Sequence, residues 1–172
     1  VMIAPDGTNT ADKIVANSGT STNNRVYSPA LFSSSTDGDD YTLSFYAKRG
    51  EFRHVYATLW DSTGATLPDS QIWFNLATGE YNLIKGLSAN MEELDNGWYR
   101  CSVSSTNDAS TNANSIRIQL GGDAVAGPSS NLQGDGYSGI YIWGLQLELG
   151  SSVSSYIKTT GVSATRSADN AS

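Results

Sequence analysis

One histidine, His54, and one cysteine, Cys101, are the chain's whole stock of imidazole and thiol chemistry. A Ser-His-Asp relay needs its histidine beside a serine on a strand-to-helix elbow, and no G-x-S-x-G segment exists. A zinc centre draws three or four ligands mainly from cysteine and histidine, and the chain has one of each. Neither a P-loop nor a strand-borne G-x-G-x-x-G is present. A glycosidase needs two carboxylates about 5–10 Å apart across a cleft. Glu148 lies on an expected strand, and Glu92, Glu93 and Asp95 precede another, but sequence spacing does not pair them. His54 reads as a plain strand residue at the surface. Cys101 shares strand parity with Tyr99 and Val103, as a small buried hydrophobe would.

The outward-facing residues point to different chemistry. Opposite each apolar set stand Tyr46 and Lys48, then His54, Tyr56 and Trp60, then Gln71, Trp73 and Asn75. Later strands add Trp98 and Arg100, Arg117 and Gln119, and Gln146 and Glu148. A merely solvated sheet face would carry Thr, Lys, Glu and Ser. Rings interleaved with planar amide, guanidinium and carboxylate groups suit a saccharide. A pyranose has an apolar C–H face that stacks on Trp or Tyr, and hydroxyls that need paired donors and acceptors. One such stack removes roughly 50–100 Å² of apolar surface, worth about 1–2.5 kcal/mol. Trp60 and Trp73 are the first ligand candidates. Tyr46, Tyr56, Arg117 and Gln119 follow, and Trp98 and Glu148 complete the set. Trp98 in NGWYRCS and Trp143 on core parity read as framework, and Arg100 is positioned to bridge to Glu148.

Strands must carry these residues. YTLSFYAKRG (41–50) puts Tyr41, Leu43, Phe45 and Ala47 on one face. RHVYATLWD (53–61) alternates Val55, Ala57 and Leu59 with polar and aromatic residues, and QIWFNLATGEY (71–81) does the same with Ile72, Phe74 and Leu76. ADKIVAN (11–17), RVYSPALF (25–32, broken by Pro29), 98–105 and SIRIQLGG (115–122) are further strands. GIYIWGLQLELG (139–150) alternates throughout, which assigns Tyr141, Trp143, Leu145, Leu147 and Leu149 to one face and Ile140, Ile142, Gly144, Gln146 and Glu148 to the other. Asn96-Gly97 and Thr78-Gly79 mark hairpin turns. Residues 121–139 read as a Gly-rich loop, and the only place for a helical turn or two is near 86–94. Many short strands with a turn about every ten residues predict an all-β, antiparallel two-sheet β-sandwich of jelly-roll type.

At 172 residues the chain is long enough for one domain with a sizeable core. The net charge of −7, with no Lys/Arg cluster, argues against nucleic acid. It argues mildly against a polyanionic glycan too, unless a local basic patch overrules it. No apolar run approaches the roughly 20 residues of a membrane helix, and no signal peptide or internal disulfide is expected.

Six segments, in order, carry a resemblance: APDGTNTADKIV, YTLSFYAK, NLATGEY, NGWYRCSV, GIYIWGLQLELG and SYIKTTGVSATRSAD. Together they resemble the lectin-like β-jelly-roll module of phage tail and virion proteins, itself related to the sandwich-fold carbohydrate-binding modules of glycan-degrading enzymes. The resemblance implies non-catalytic binding of a polysaccharide or cell-surface glycan that tethers neighbouring domains of a longer parent protein, in an extracellular or virion-associated setting. A neutral polymer is the expected ligand. The module would span residues 1–163, with 164–172 as linker, and a strand would precede Val1. Related modules often hold one structural Ca2+. Asp6, Asp37, Asp39, Asp40 and Asp135 are candidate ligands here, but Trp143-Gly144 stands where relatives carry an acidic pair. Two other readings stay open: a structural or oligomerisation module of a tail protein, and a polysaccharide depolymerase or lyase acting through Glu148 or His54.

Overall fold

The computed structural model of the chain describes residues 2–21, 24–28, 38–61, 70–106, 113–121 and 132–159. Twelve strands run β1 (Asp12–Val15), β2 (Gly19–Ser21), β3 (Arg25–Tyr27), β4 (Asp40–Arg49), β5 (His54–Asp61), β6 (Ser70–Asn75), β7 (Glu80–Lys85), β8 (Ser88–Glu93), β9 (Trp98–Thr106), β10 (Ala113–Gly121), β11 (Leu132–Gly134) and β12 (Gly139–Leu149). One five-stranded sheet has the order β1-β12-β4-β9-β8 and the other β3-β10-β5-β6-β7, all pairs antiparallel. A small third ladder joins β2 to β11.

The pairings nest. β1 meets β12, β2 meets β11, β3 meets β10, and β4 meets β9. The chain is therefore one long antiparallel ribbon, with β1/β12 and β4/β9 in one sheet, β3/β10 in the other and β2/β11 in the small third ladder. That is the jelly roll, closed at its folded end by β5 to β8. The sandwich fold follows from period-2 patterning. Leu43, Phe45, Ala47, Cys101 and Val103 from one sheet meet Val55, Leu59, Ile72, Phe74, Ile118 and Leu120 from the other, all buried. Phe45 and Phe74 touch edge to face across the gap, with centroids 5.9 Å apart at 81°. Each such side chain contributes about 1.5–3 kcal/mol by leaving water.

Three expectations are corrected. Residues 88–93 are strand β8, and the only helical geometry among the described residues is a 3₁₀ turn at Asp95–Gly97. Asn96 (φ 61°) and Gly97 (φ 76°) both sit in the left-handed region, as an Asn-Gly hairpin turn requires. Cross-strand pairing of 88–93 with β9 outweighs weak helix propensity. The 121–139 segment is not all loop, because β11 lies in it and pairs β2. Finally, β12 does not alternate throughout. Its register against β4 shifts between Trp143 and Gln146, a β-bulge centred on Gly144 at φ +60°. Before the bulge Ile140 and Ile142 face the core and Tyr141 and Trp143 face out. After it Leu147 faces the core while Gln146 and Glu148 face out. One extra residue reverses side-chain parity, so Trp143 belongs to the outer surface.

Candidate functional site

The two sheets present two outer faces, and the sequence-predicted residues divide between them. On the β3-β10-β5-β6-β7 sheet, registers align two rows that each cross all five strands. One row reads Arg25, Gln119, Tyr56, Trp73, Asn82. The next reads Tyr27, Arg117, Thr58, Gln71, Lys85. Strands about 4.8 Å apart make each row roughly 19 Å long, the scale of a short oligosaccharide. His54 lies beside the first row, its ring edge-on to Trp73 with centroids 5.3 Å apart.

Within these rows the predicted residues take different depths. Tyr56 and Gln119 are only 7% and 8% exposed, so they form the floor. Trp73 and Arg117 are half-buried and stand higher, and Tyr27 at the β3 edge is open to solvent. Desolvation raises the pKa of the Tyr56 phenol, which keeps it a hydrogen-bond donor through the physiological range. Trp60 occupies the outward register position opposite Ser115, but its side chain falls outside the described residues. His54, expected at the surface, is 8% exposed, because Trp73 packs across it.

Two polar atoms on this face are buried without a hydrogen-bond partner, the Trp73 indole nitrogen and the Thr58 hydroxyl. They come from diagonal positions on neighbouring strands. An unmade hydrogen bond of this kind costs about 1–3 kcal/mol, and the Nε atoms of Arg53 and, on the other face, Arg100 are in the same state.

The outer face of the β1-β12-β4-β9-β8 sheet holds Tyr46, Trp98 and Glu148, and here the chain itself lies on top. Residues 150–159 cross the face as a strap. Arg100 donates to the Ser154 carbonyl, Glu148 accepts from the Ser154 amide and hydroxyl, and Gln146 accepts from the Ile157 amide at 2.8 Å. Thr42 donates to the Gly150 carbonyl at 2.7 Å and Ser104 to the Ser151 carbonyl at 3.0 Å. Tyr156 packs on Trp143 with centroids 4.6 Å apart, and Tyr46 completes the ring cluster 5.3 Å from Trp143. Arg100 and Glu148 do not pair with each other, because both grip the strap. Among the described residues the only ion pair is Lys13–Glu51 at 2.8 Å.

Trp98 is 3% exposed and donates its indole N–H to the Ile3 carbonyl at 3.2 Å, so the N-terminal segment covers that end of the face. A cleft of about 810 Å³ remains between this segment, Tyr46, Lys48 and the 94–98 turn. The Lys48 ammonium on its wall is already bonded to the Asn96 carbonyl.

His54 and Glu148 lie on opposite outer faces, with both sheets between them, so they cannot flank one bond. The Cys101 thiol is fully buried and its pKa is pushed up by desolvation, which leaves it inert as a nucleophile. Among the described residues no three His, Cys, Asp or Glu side chains converge as a metal site would require. The Asp6 carboxylate takes the Thr8 amide and hydroxyl, and Asp135 takes the Tyr137 and Ser138 amides and the Ser138 hydroxyl, so both acids are spent on their own turns. Asp37 lies outside the described residues.

Sequence reading missed Arg25, Tyr27 and Asn82 because they sit on edge strands whose register only the ladders reveal. It also placed Trp143 in the core. Glycine in the middle of the strand was the available warning of a bulge. No family model matches the chain, and no curated protein matches it.

Proposed function

We propose that this is a non-catalytic carbohydrate-binding module whose ligand lies along the outer face of the β3-β10-β5-β6-β7 sheet. The observation that carries the reading is Trp73. It is a half-buried ring in a row of amide, guanidinium and phenol groups, with its own N–H and the neighbouring Thr58 hydroxyl unpartnered. The ring supplies a stacking surface for a pyranose C–H face, and Gln71, Asn82, Arg117 and Arg25 supply flanking hydroxyl contacts. A few stacks, less the entropy of association, give micromolar to millimolar affinity, enough to tether a neighbouring domain to a polymer. The resemblance of the framework segments to lectin-like jelly rolls of virion proteins supports the same reading and an extracellular or virion-associated setting.

Affinity electrophoresis against soluble β-glucans, xylans, mannans and uronate polymers tests it. Retardation by at least one polymer, reduced by Trp73→Ala, is expected. Unchanged mobility with every polymer counts heavily against it.

The second reading, a structural module, draws on the other face. Both terminal segments are pinned there, Ile3 by Trp98 and Ser154 by Arg100 and Glu148, which would fix how the chain enters and leaves the sandwich. It predicts weak iodide quenching of tryptophan fluorescence and a stable oligomer at low concentration.

A further inference from the structure

We infer that the cleft between the N-terminal segment and the 94–98 turn is a second ligand site, and that it takes a small neutral sugar: a free mono- or disaccharide, or the end of a glycan chain. The inference does not rest on the binding role of the β3-β10-β5-β6-β7 face, because it uses none of that face's residues. Ends are rare in a polymer, so retention by long polymers remains a readout of the other face.

The cleft is built before any ligand arrives. Residues of the N-terminal segment form one wall. The Ala4 amide donates to the Thr8 carbonyl at 2.8 Å and Met2 bridges to Ala11, so this segment closes on itself as a hook. Two indoles of the sheet then fix the hook. Trp98 donates to the Ile3 carbonyl at 3.2 Å, and Trp143 donates to the Thr10 hydroxyl at 2.9 Å. Tyr46, which also lines the cleft, is held by the rings of Trp143 and Tyr156 at 5.3 and 6.4 Å and by the Arg100 guanidinium at 5.5 Å. Walls fixed in advance spare a ligand the entropy of ordering them. The volume of about 810 Å³ falls within the range of roughly 300–1,000 Å³ that small-molecule sites occupy.

The lining selects the ligand. Met2, Ile3, Pro5 and Leu94 offer apolar contact to the C–H face of a ring. Three polar side chains stand among them. The Lys48 ammonium only donates, the Asp95 carboxylate only accepts, and the Asn96 amide does both. The Asn96 carbonyl takes one proton of Lys48 and so fixes the ammonium on the wall. A hydroxyl donates and accepts, so a ring edged with hydroxyls can use all three groups, and a ring without them can use none. The lining also balances one cation against one anion. An acidic sugar gains from Lys48 but meets Asp95, and an amino sugar gains from Asp95 but meets Lys48. A neutral sugar meets neither repulsion.

NMR shift mapping of backbone amides and indole N–H groups tests this on the intact chain. The probes are glucose, galactose, mannose, xylose, N-acetylglucosamine and disaccharides of these, beside galacturonate, glucosamine and cyclohexanol. At least one neutral sugar should shift the Ile3, Lys48 and Asn96 amides and the Trp98 indole, saturating in the millimolar range expected for one buried ring. The Trp73 indole reports the other face separately. Asp95→Ala and Lys48→Met should each weaken binding about fivefold or more, the loss of one hydrogen bond to the ligand. Ile3→Trp fills the cleft but keeps the backbone carbonyl that Trp98 needs, so it should abolish the shifts at Lys48 and Asn96. Trp73→Ala should leave them unchanged. Should Lys48→Met fail to fold, Asp95→Ala at an exposed turn decides alone. Equal or tighter binding of galacturonate, glucosamine or cyclohexanol at the cleft overturns the inference. Shifts confined to β5 and β6 overturn it too, and leave the binding role of the other face standing. No saturable shift with any neutral sugar overturns it as well, and polymer retention then judges the other face on its own.

Discussion

The two outer faces of this sandwich carry the same kinds of residue and put them to different use. One face has Tyr46, Trp143, Arg100, Gln146 and Glu148, and the other has Tyr56, Trp73, Arg117, Gln119 and Gln71. On the first, Arg100, Gln146 and Glu148 bond to the strap, Trp143 donates to Thr10, and the strap's own Tyr156 takes the stacking position, although the Arg100 Nε stays without a partner. On the second, the Trp73 N–H and the Thr58 hydroxyl remain unpartnered. Surface composition alone therefore does not separate a binding face from a structural one. What separates them, among the described residues, is whether a segment of the chain is bonded across the face.

That contrast predicts opposite consequences for two tryptophans. Trp98→Ala removes a buried ring and orphans the Ile3 carbonyl. It should cost about 3–5 kcal/mol of stability, a fall in Tm of roughly 6–20 °C for a domain of this size. Polymer retention per folded molecule should be unchanged, as read by calorimetry and affinity electrophoresis on the same sample. If retention collapses while folding survives, the covered face is the binding face and the assignment reverses.

Trp73→Ala should do the converse. Losing one stack weakens binding by about 1–2.5 kcal/mol, roughly 5- to 60-fold in Kd. Its cost in stability should be smaller than that of Trp98→Ala, because the ring is half-buried and its N–H has no partner to lose. Isothermal titration beside thermal unfolding separates the two effects. A variant that binds normally but unfolds early would make Trp73 a packing residue only.

Much of this division was legible in the sequence, and the failures have specific causes. Parity on β4, β5, β6, β9 and β10 is written in strict alternation, so the core and the outward sets of those strands follow directly from side-chain geometry. The strap was not legible. Its bonds run from side chains to backbone carbonyls and amides of 150–157, and every residue carries those same backbone groups. Tyr156 and Ile157 are apolar enough to pack down, but nothing in their sequence says onto which face. Trp143 was misplaced because a bulge adds one residue without changing the apparent pattern of the strand. The diagonal placement of Arg25 and Arg117 was hidden because they are 92 positions apart in sequence and come together only through the β3–β10 ladder.

Gly144 sharpens the comparison by testing the bulge itself. A Cβ there would sit 3.0 Å from the Tyr46 ring and 3.4 Å from that of Tyr156, at a φ of +60° that side chains resist. Gly144→Ala should cost about 1–2 kcal/mol. The damage should be local, with faster amide exchange at Ser154 and Ile157, whose partners Glu148 and Gln146 follow the bulge. Amides of β5 and β6 should keep their protection, and saccharide affinity should not change. Exchange that quickens equally on both sheets would mean the faces are not energetically separable.

The smallest effect is a pH dependence confined to the covered sheet. Two carboxylates hold the start of β12. Asp135 caps the Tyr137 and Ser138 amides, which lower its pKa from 3.8 to about 2. Glu51 accepts from Lys13 and from the Gly139 amide, and its pKa is also lowered. Both values are depressed in the folded state, so the unfolded chain takes up protons first as pH falls. The stability they confer is complete above about pH 4.5, the ordinary glutamate value, and drains away from there down to about pH 2. Both groups are largely solvated, so the loss is modest and shrinks with added salt. Backbone amide exchange followed from pH 5 to pH 2.5 should show Tyr137, Ser138 and Gly139 losing protection before any residue of β5, β6 or β10. Asp135→Asn should flatten the acid limb at Tyr137 and Ser138 while Glu51 still acts on Gly139. If the β5–β6 ladder opens at the same pH as Gly139, acid is unfolding the whole sandwich, and these two carboxylates do not govern the strand that carries the covered aromatic face.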